Sequence, residues 1–202
     1  YWIDVEGGAS TLIVTDGGET VLMDAGYAGF DDRDAKRIHH VLTKETGATK
    51  LDYFITSHFH GDHVGGLAAL AQLVTIDHFL DHGDSVDKEG RGKALWQTYL
   101  ATAGDKRRIV KPGDEIELSN ANLLIVAAHS QVLSKPLPGG SKNPRCADLE
   151  SRPEDKGENG NSTGYMLRSG NFEFLNLGDL SWNFQAQLAC PLNLVGEIDL
   201  FQ

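Results

Sequence analysis

The side chains best suited to chemistry occupy one short stretch of the sequence, Ser57-His58-Phe59-His60-Gly61-Asp62-His63, which we call the motif loop. Imidazole nitrogen and carboxylate oxygen atoms are common ligands of zinc and similar metals. At a strand end, His58 and His60 can point to the same side because side chains alternate along a strand. A turn at Gly61 then lets Asp62 and His63 approach from the start of the next element. The spacing therefore predicts a metal site.

The motif loop lies between a predicted strand and a predicted helix. Residues 51–56 form a short apolar run typical of a buried strand, and residues 67–73 predict a helix. Two more helices are predicted at residues 31–44, capped by Asp31 or Asp32, and at residues 93–103. Further strands are predicted at residues 11–15, 20–23, 75–80, 108–110, 115–118, 122–127, 164–167, 172–177 and 198–201. Residues 134–161 have no clear period and predict a long loop. Strands mixed with helices indicate a layered α/β or α+β domain.

The composition limits the class of protein. The 202 residues include 18 Lys and Arg against 29 Asp and Glu, for a net charge of -11. Because nucleic-acid phosphates are neutralised by Lys and Arg, extended nucleic-acid binding is not expected. No apolar run approaches the roughly 18 residues that a membrane-spanning helix needs. Cys146 and Cys190 fit either one disulfide or two buried thiols.

The motif loop resembles the His-x-His-x-Asp-His motif of the metallo-β-lactamase superfamily, which follows a strand in that family. Residues 21–26 are similar to its early strand ending in Asp-x-Gly, and residues 175–179 to the strand that delivers its bridging aspartate. Residues 3–10, with the segment after Asn161, are similar to the branch of competence-type DNA-uptake proteins. The resemblance implies an αβ/βα sandwich of two mixed sheets with outer helices, formed by residues 1–202 as a single domain.

The resemblance also implies two metal ions, usually zinc, with iron or manganese as alternatives. The ligands it implies are His58, His60, Asp62, His63 and Asp179. His58 and His60 would bind the first metal. Asp62 and His63 would bind the second metal, and Asp179 would bridge the two. Asp24 would orient a ligand histidine through a hydrogen bond.

Two departures from the family pattern concern the remaining ligands. Asn161 stands where the family carries a third histidine, and His129 is the other candidate for that position. Asparagine oxygen is a poor zinc ligand, so Asn161 would leave the first metal more weakly held. No histidine follows His129, although the family places a final one beyond the bridging aspartate. We therefore expect the domain to lack its last strand or strands, a helix and the final histidine.

The function implied is that of a metal-dependent hydrolase. A metal-bound hydroxide would attack an ester, amide, lactone or phosphodiester bond of a small-molecule substrate. Asp62 and Asp179 would be the catalytic residues, because they offset the metal charge and orient the hydroxide. The alternatives are a phosphodiesterase or nuclease of the competence-protein type and a non-catalytic metal-binding domain. The sequence leaves open the oligomeric state and the choice between a periplasmic or secreted location and a cytoplasmic one.

Overall fold

A computed structural model describes residues 1–150 and 152–202. The first five strands are β1 (Thr11–Val14), β2 (Thr20–Met23), β3 (Lys50–Ile55), β4 (Thr75–Asp81) and β5 (Arg107–Ile109). They form one sheet in the order β1-β2-β3-β4-β5. Strands β1 and β2 are an antiparallel hairpin, as the Asp16-Gly17-Gly18 turn between them favours. All other neighbours in this sheet are parallel.

The remaining strands are β6 (Glu115–Leu118), β7 (Ala121–Ala128), β8 (Gln131–Val132), β9 (Ser141–Lys142), β10 (Gly164–Ser169), β11 (Phe172–Asn176), β12 (Leu192–Asn193) and β13 (Leu200–Phe201). A second sheet has the order β13-β11-β10-β7-β6, with β8 paired to β7. Its pairs are antiparallel except for the parallel β11 and β13. Strands β9 and β12 form a separate antiparallel pair.

Four α-helices are present among the described residues: α1 (Arg33–His40), α2 (Leu67–Leu73), α3 (Gly90–Ala103) and α4 (Trp182–Ala189). A π-helical turn at Val41–Glu45 continues α1. Within residues 1–150 and 152–202, no helix combines the length and the apolar character that crossing a bilayer requires.

Alternation along the strands separates the core into three layers. On β2, Leu22 packs with residues of α1 and α2, whereas Val21 and Met23 pack against the second sheet. On β7, Ile125 faces the first sheet and Val126 faces α4. Each sheet is therefore buried on both faces, with α1, α2 and α3 outside the first and α4 outside the second. This is the predicted αβ/βα sandwich.

Several local predictions differ from the structure. Neither Asp31 nor Asp32 caps α1: both adopt left-handed backbone, and no side-chain cap hydrogen bond forms. Instead, Asp34 Oδ2 in the first turn accepts a hydrogen bond from Tyr27 N at 2.8 Å. The loop predicted at residues 134–161 contains β9 and a 3₁₀ turn at Pro144–Asp148. Helix α4 was not predicted at all.

A disulfide joins Cys146 to Cys190, which resolves the two alternatives left by the sequence. It attaches the long loop to the end of α4, since Cys190 directly follows that helix. Asn143 Nδ2 strengthens the attachment by donating to the carbonyl of Ala189 at 3.0 Å. The pairing of β9 with β12 lies beside it.

Removing this disulfide is expected to lower the free energy of unfolding by about 2 to 4 kcal/mol. The crosslink joins residues that are 44 positions apart, so it restricts the unfolded chain considerably. Urea unfolding of the oxidised protein, the reduced protein and the Cys146→Ser/Cys190→Ser variant measures the effect. Reductant should not change the variant further. Equal stability of all three samples would contradict the prediction.

Candidate metal centre

Strand ends bring the predicted ligands to one edge of the sandwich. Strand β2 leads into Asp24 and β3 leads into the motif loop, and these two strands are parallel, so their carboxyl ends meet. Asp179 follows β11 of the second sheet. The close approach of the segment after β11 to the motif loop requires glycine at position 178. Its φ is +54°, and a Cβ at this position would lie 2.6 Å from Ser57 Cβ.

Asp24 is the buried anchor of the site. Its Oδ1 accepts a hydrogen bond from Ser57 N at 2.8 Å, and its Oδ2 accepts one from Ser57 Oγ at 2.6 Å. Oδ2 also lies 2.8 Å from His63 Nδ1. The backbone of Asp24 has a φ of +64°, a conformation that residues other than glycine rarely adopt. This strained conformation is held at the point where one carboxylate contacts two parts of the motif loop.

Hydrogen bonding determines which nitrogen of each histidine faces the site. An ionised carboxylate only accepts, so His63 Nδ1 carries the proton that it donates to Asp24. The hydroxyl of Ser57 donates its own proton to Asp24, so its oxygen accepts from His58 Nδ1 at 3.0 Å. Both histidines therefore direct Nε2 into the site. This arrangement suits metal binding, because ligand histidines are usually oriented through the other ring nitrogen.

Three of the five predicted ligands form one cluster in the described structure, and His60 and Asp62 lie beside it. Ligand atoms of His58, His63 and Asp179 lie within 4.8 Å of one another. His63 Nε2 is 3.5 Å from Asp179 Oδ2, a separation that two ligands about 2.0–2.2 Å from one ion can have. His60 Nδ1 is 2.9 Å from His58 Nε2, and Asp62 Oδ2 is 3.8 Å from His63 Nε2. The donor set, imidazole nitrogen and carboxylate oxygen, fits zinc, iron or manganese.

The carboxylates of the site stabilise positive charge on His63. Burial by itself lowers the pKa of His63, but hydrogen bonds and negative charge from Asp179 and Asp24 raise it to about 10. Burial lowers the pKa of His58 to about 4, helped by the positive charge of His63. The hydrogen bond with His63 lowers the pKa of Asp179, so its carboxylate is ionised at neutral pH. Negative charge from carboxylates thus surrounds His63.

The two candidates for the position of the family's third histidine, Asn161 and His129, have different surroundings. Asn161 is buried, and its amide accepts from Ser130 Oγ at 3.0 Å and donates to the carbonyl of Gly157 at 2.9 Å. Its backbone carbonyl accepts from His129 N at 3.0 Å. The polar atoms of Asn161 therefore hold the long loop in place. His129 is exposed and is outside the cluster of His58, His63 and Asp179.

Sequence reasoning missed a buried carboxylate behind the motif loop. Glu158 Oε2 accepts from Phe59 N at 3.1 Å, between the two ligand histidines, and lies 3.2 Å from His82 Nε2. Its Oε1 accepts from Ser85 Oγ at 2.5 Å and Val86 N at 2.7 Å. Both Glu158 and His82 have fully buried side chains. No local signal identifies Glu158, since its partners lie 72 to 99 residues away. Sequence reasoning also assigned no role to Ser57, although its position directly before His58 was a clue.

Known proteins share this fold. A motif mutant of the metallo-beta-lactamase from Cronobacter sakazakii superposes with a TM-score of 0.59 at 14% identity, covering 99% of this chain and 74% of that chain. Zn²⁺-bound PqqB from Methylobacterium extorquens gives a TM-score of 0.52 at 14% identity, covering 96% and 59%. At such identities these structures show the fold alone. The similarity to the competence-type branch stays a prediction.

Sequence comparison agrees with the fold. Integrator complex subunit 11 of Danio rerio is 35% identical over 72 residues, which are 35% of this chain and 12% of that protein. The chain therefore spans a small part of this curated relative. The model of the metallo-beta-lactamase superfamily matches residues 3–132, which include Asp24 and the whole motif loop. Since that match covers more than half of the sequence, the chain belongs to the metallo-beta-lactamase superfamily, whose members are mostly metal-dependent hydrolases.

Proposed function

We propose that this chain carries the metal centre of a hydrolase, with His58, His60, Asp62, His63 and Asp179 as ligands of two zinc ions. The observation that carries the proposal is the meeting of one ligand atom each from His58, His63 and Asp179 within 4.8 Å. The buried contacts of Asp24 and Ser57 support it, because they orient both histidines before any ion arrives. The Zn²⁺-bound PqqB neighbour makes zinc the first metal to test.

When bound, zinc supplies a Lewis acid that lowers the pKa of water to about 7 and polarises the bond to be cleaved. The chain's own residues prepare the site for that chemistry. Asp62 and Asp179 offset the metal charge and accept hydrogen bonds from an attacking water. Asp24 keeps the Nδ1 proton on His63 and so keeps Nε2 directed at the metal.

The proposal needs no amino-acid nucleophile. Ser57 is the hydroxyl residue beside the ligands, but it is fully buried and its proton is donated to Asp24. Its oxygen also accepts from His58. Because Ser57 already uses both its hydroxyl proton and its oxygen in hydrogen bonds, it is unsuited to attack a substrate. An activated water is therefore the nucleophile in this proposal.

The reaction class is hydrolysis of an ester, amide, lactone or phosphodiester bond. A phosphodiesterase is the second candidate, favoured by the likeness of the first residues and of the Asn161-Ser162 segment to competence-type proteins. The net charge of -11 disfavours a long nucleic-acid track but allows a small phosphodiester. A non-catalytic metal-binding domain is the remaining alternative.

The His60→Ala variant is expected to lose at least about 100-fold in kcat/KM relative to the zinc-loaded chain. Chromogenic esters, an anilide, a lactone and a phosphodiester form the substrate panel, and metal analysis gives the zinc content of each sample. His40→Ala is the matched control, since that histidine lies on α1 with its side chain 65% exposed. Chelation should abolish turnover, and added zinc should restore it.

The outcomes separate the alternatives. Zinc-dependent turnover of the phosphodiester alone would favour the phosphodiesterase. Zinc binding without any turnover would favour a non-catalytic metal-binding domain and would contradict the hydrolase proposal for this chain. Turnover that survives His60→Ala would remove that residue from the site.

A further inference from the structure

A cavity of about 340 Å³ opens beside the candidate metal centre. One wall is the motif loop, with His60, Gly61 and Asp62. The facing residues include Arg91, near the start of α3, and Asp87. A substrate whose scissile bond reaches the metal ligands would therefore extend past these two charged side chains.

Arg91 lies directly against the motif loop. A guanidinium nitrogen of Arg91 is 3.0 Å from the position where a Cβ on Gly61 would stand. Gly61 separates the two predicted ligands His60 and Asp62, so the positive charge lies next to both. The absence of a side chain at Gly61 leaves the room that the guanidinium occupies.

Among the described residues, Arg91 has no carboxylate partner of the kind that several other arginines have. Within residues 1–150 and 152–202, ion pairs shorter than 4 Å engage four arginines: Arg33, Arg37, Arg107 and Arg168. No such pair and no side-chain hydrogen bond engages Arg91 in the part of the chain that the structure describes. A guanidinium has five donors arranged to hold a carboxylate or phosphate through two parallel hydrogen bonds. Those donors remain available in the cavity.

We propose that Arg91 binds an anionic group of the substrate, a carboxylate or a phosphate, next to the bond that is cleaved. The inference rests on the proposed function, because it places the substrate between Arg91 and the metal ligands. Asp62 does not oppose the anion once it holds metal, since the cation offsets its charge. Asp87 keeps its negative charge in the cavity and opposes the anion. Neutralising Arg91 is therefore expected to weaken binding of the anion, and neutralising Asp87 is expected to strengthen it.

Binding of small thiols to the zinc-loaded chain tests the inference without requiring turnover. Mercaptoacetate carries a carboxylate beside a metal-binding thiol, and 2-mercaptoethanol is its neutral counterpart. Arg91→Gln is expected to weaken mercaptoacetate about 10-fold, because it removes a charged hydrogen-bond partner, and to leave 2-mercaptoethanol unchanged. Asp87→Asn is expected to increase the affinity for mercaptoacetate, because it removes a negative charge from the cavity. Calorimetry gives the dissociation constants, and metal analysis confirms equal zinc content.

Inorganic phosphate, used as a competitor of mercaptoacetate, separates the two anions. If phosphate competes with mercaptoacetate in the wild type but not in Arg91→Gln, the anion that Arg91 binds is a phosphate. A loss of mercaptoacetate affinity in Arg91→Gln without phosphate competition assigns a carboxylate. Equal affinity of the wild type and Arg91→Gln for mercaptoacetate, at full zinc content, overturns the inference and leaves the hydrolase proposal standing. Failure of the wild type to take up zinc instead contradicts the hydrolase proposal.

Discussion

Replacing Asp24 by asparagine is expected to weaken zinc binding about 10- to 100-fold while the protein remains folded. In the wild type, the carboxylate accepts three hydrogen bonds, from Ser57 N, Ser57 Oγ and His63 Nδ1. An asparagine amide has one accepting oxygen and one donating nitrogen, so at least one of these donors loses its partner. Asparagine tolerates the left-handed backbone at this position, so the change acts through the hydrogen bonds.

The loss of affinity follows from the histidine proton. If the amide nitrogen donates to His63 Nδ1, that nitrogen must be the acceptor, and the proton moves to Nε2. A protonated Nε2 has no lone pair for the metal. Because the pKa of His63 is raised to about 10 in the metal-free protein, nitrogen NMR shifts report this exchange at higher pH, where the ring is neutral. Competition with a chelator measures the zinc affinity.

Asp52 provides the matched control for the Asp24 variant. Its carboxylate also accepts from a main-chain nitrogen and a hydroxyl, those of Thr20 at 2.9 and 3.0 Å. It lies on β3, five residues before Ser57, and contacts none of the predicted ligands in the described structure. Asp52→Asn should therefore keep the zinc affinity of the wild type. Unchanged affinity in Asp24→Asn would show that Asp24 does not orient His63 for metal binding.

The parts of this protein that the sequence predicts well are those determined by neighbouring residues. Strands β2 and β6 and helix α2 begin and end where their apolar patterns indicate. The motif loop is recognisable for the same reason, because four potential ligands lie within six residues. Asp24 and Asp179 needed a family resemblance, since neither is close to the motif loop in sequence.

The parts that sequence reasoning missed are stabilised by distant contacts. Helix α4 contains Trp182, Asn183 and Phe184, which are not strong helix formers. Its stability comes from packing Phe184 and Leu188 into the layer outside the second sheet. The loop over residues 134–161 has no periodic pattern because its order depends on separate attachments, the disulfide and Glu158. Local propensity contains no information on such contacts.

Glu158→Ala is expected to lower the free energy of unfolding by about 3 to 5 kcal/mol, since it leaves three buried donors, Phe59 N, Ser85 Oγ and Val86 N, without their acceptor. For a domain of this size the Tm should fall by roughly 10 °C. The loss also reaches the metal centre, because Phe59 N loses the acceptor that fixes the backbone between His58 and His60. Thermal unfolding followed by circular dichroism measures the effect, with exposed Glu154→Gln as the control from the same loop.

The pH dependence provides a more specific test of Glu158. Burial by itself raises the pKa of this carboxyl, but the contacts with His82, Ser85 and Phe59 N outweigh burial and lower it from 4.5 to about 2. A folded-state pKa below the unfolded value contributes stability above about pH 4.5, and that contribution, about 3 kcal/mol, is lost as the pH falls toward 2. Glu158→Gln cannot titrate, so its stability should decline less between these pH values than that of the wild type or Glu154→Gln. Parallel acid unfolding curves for all three proteins would mean that an ionised Glu158 does not hold the motif loop.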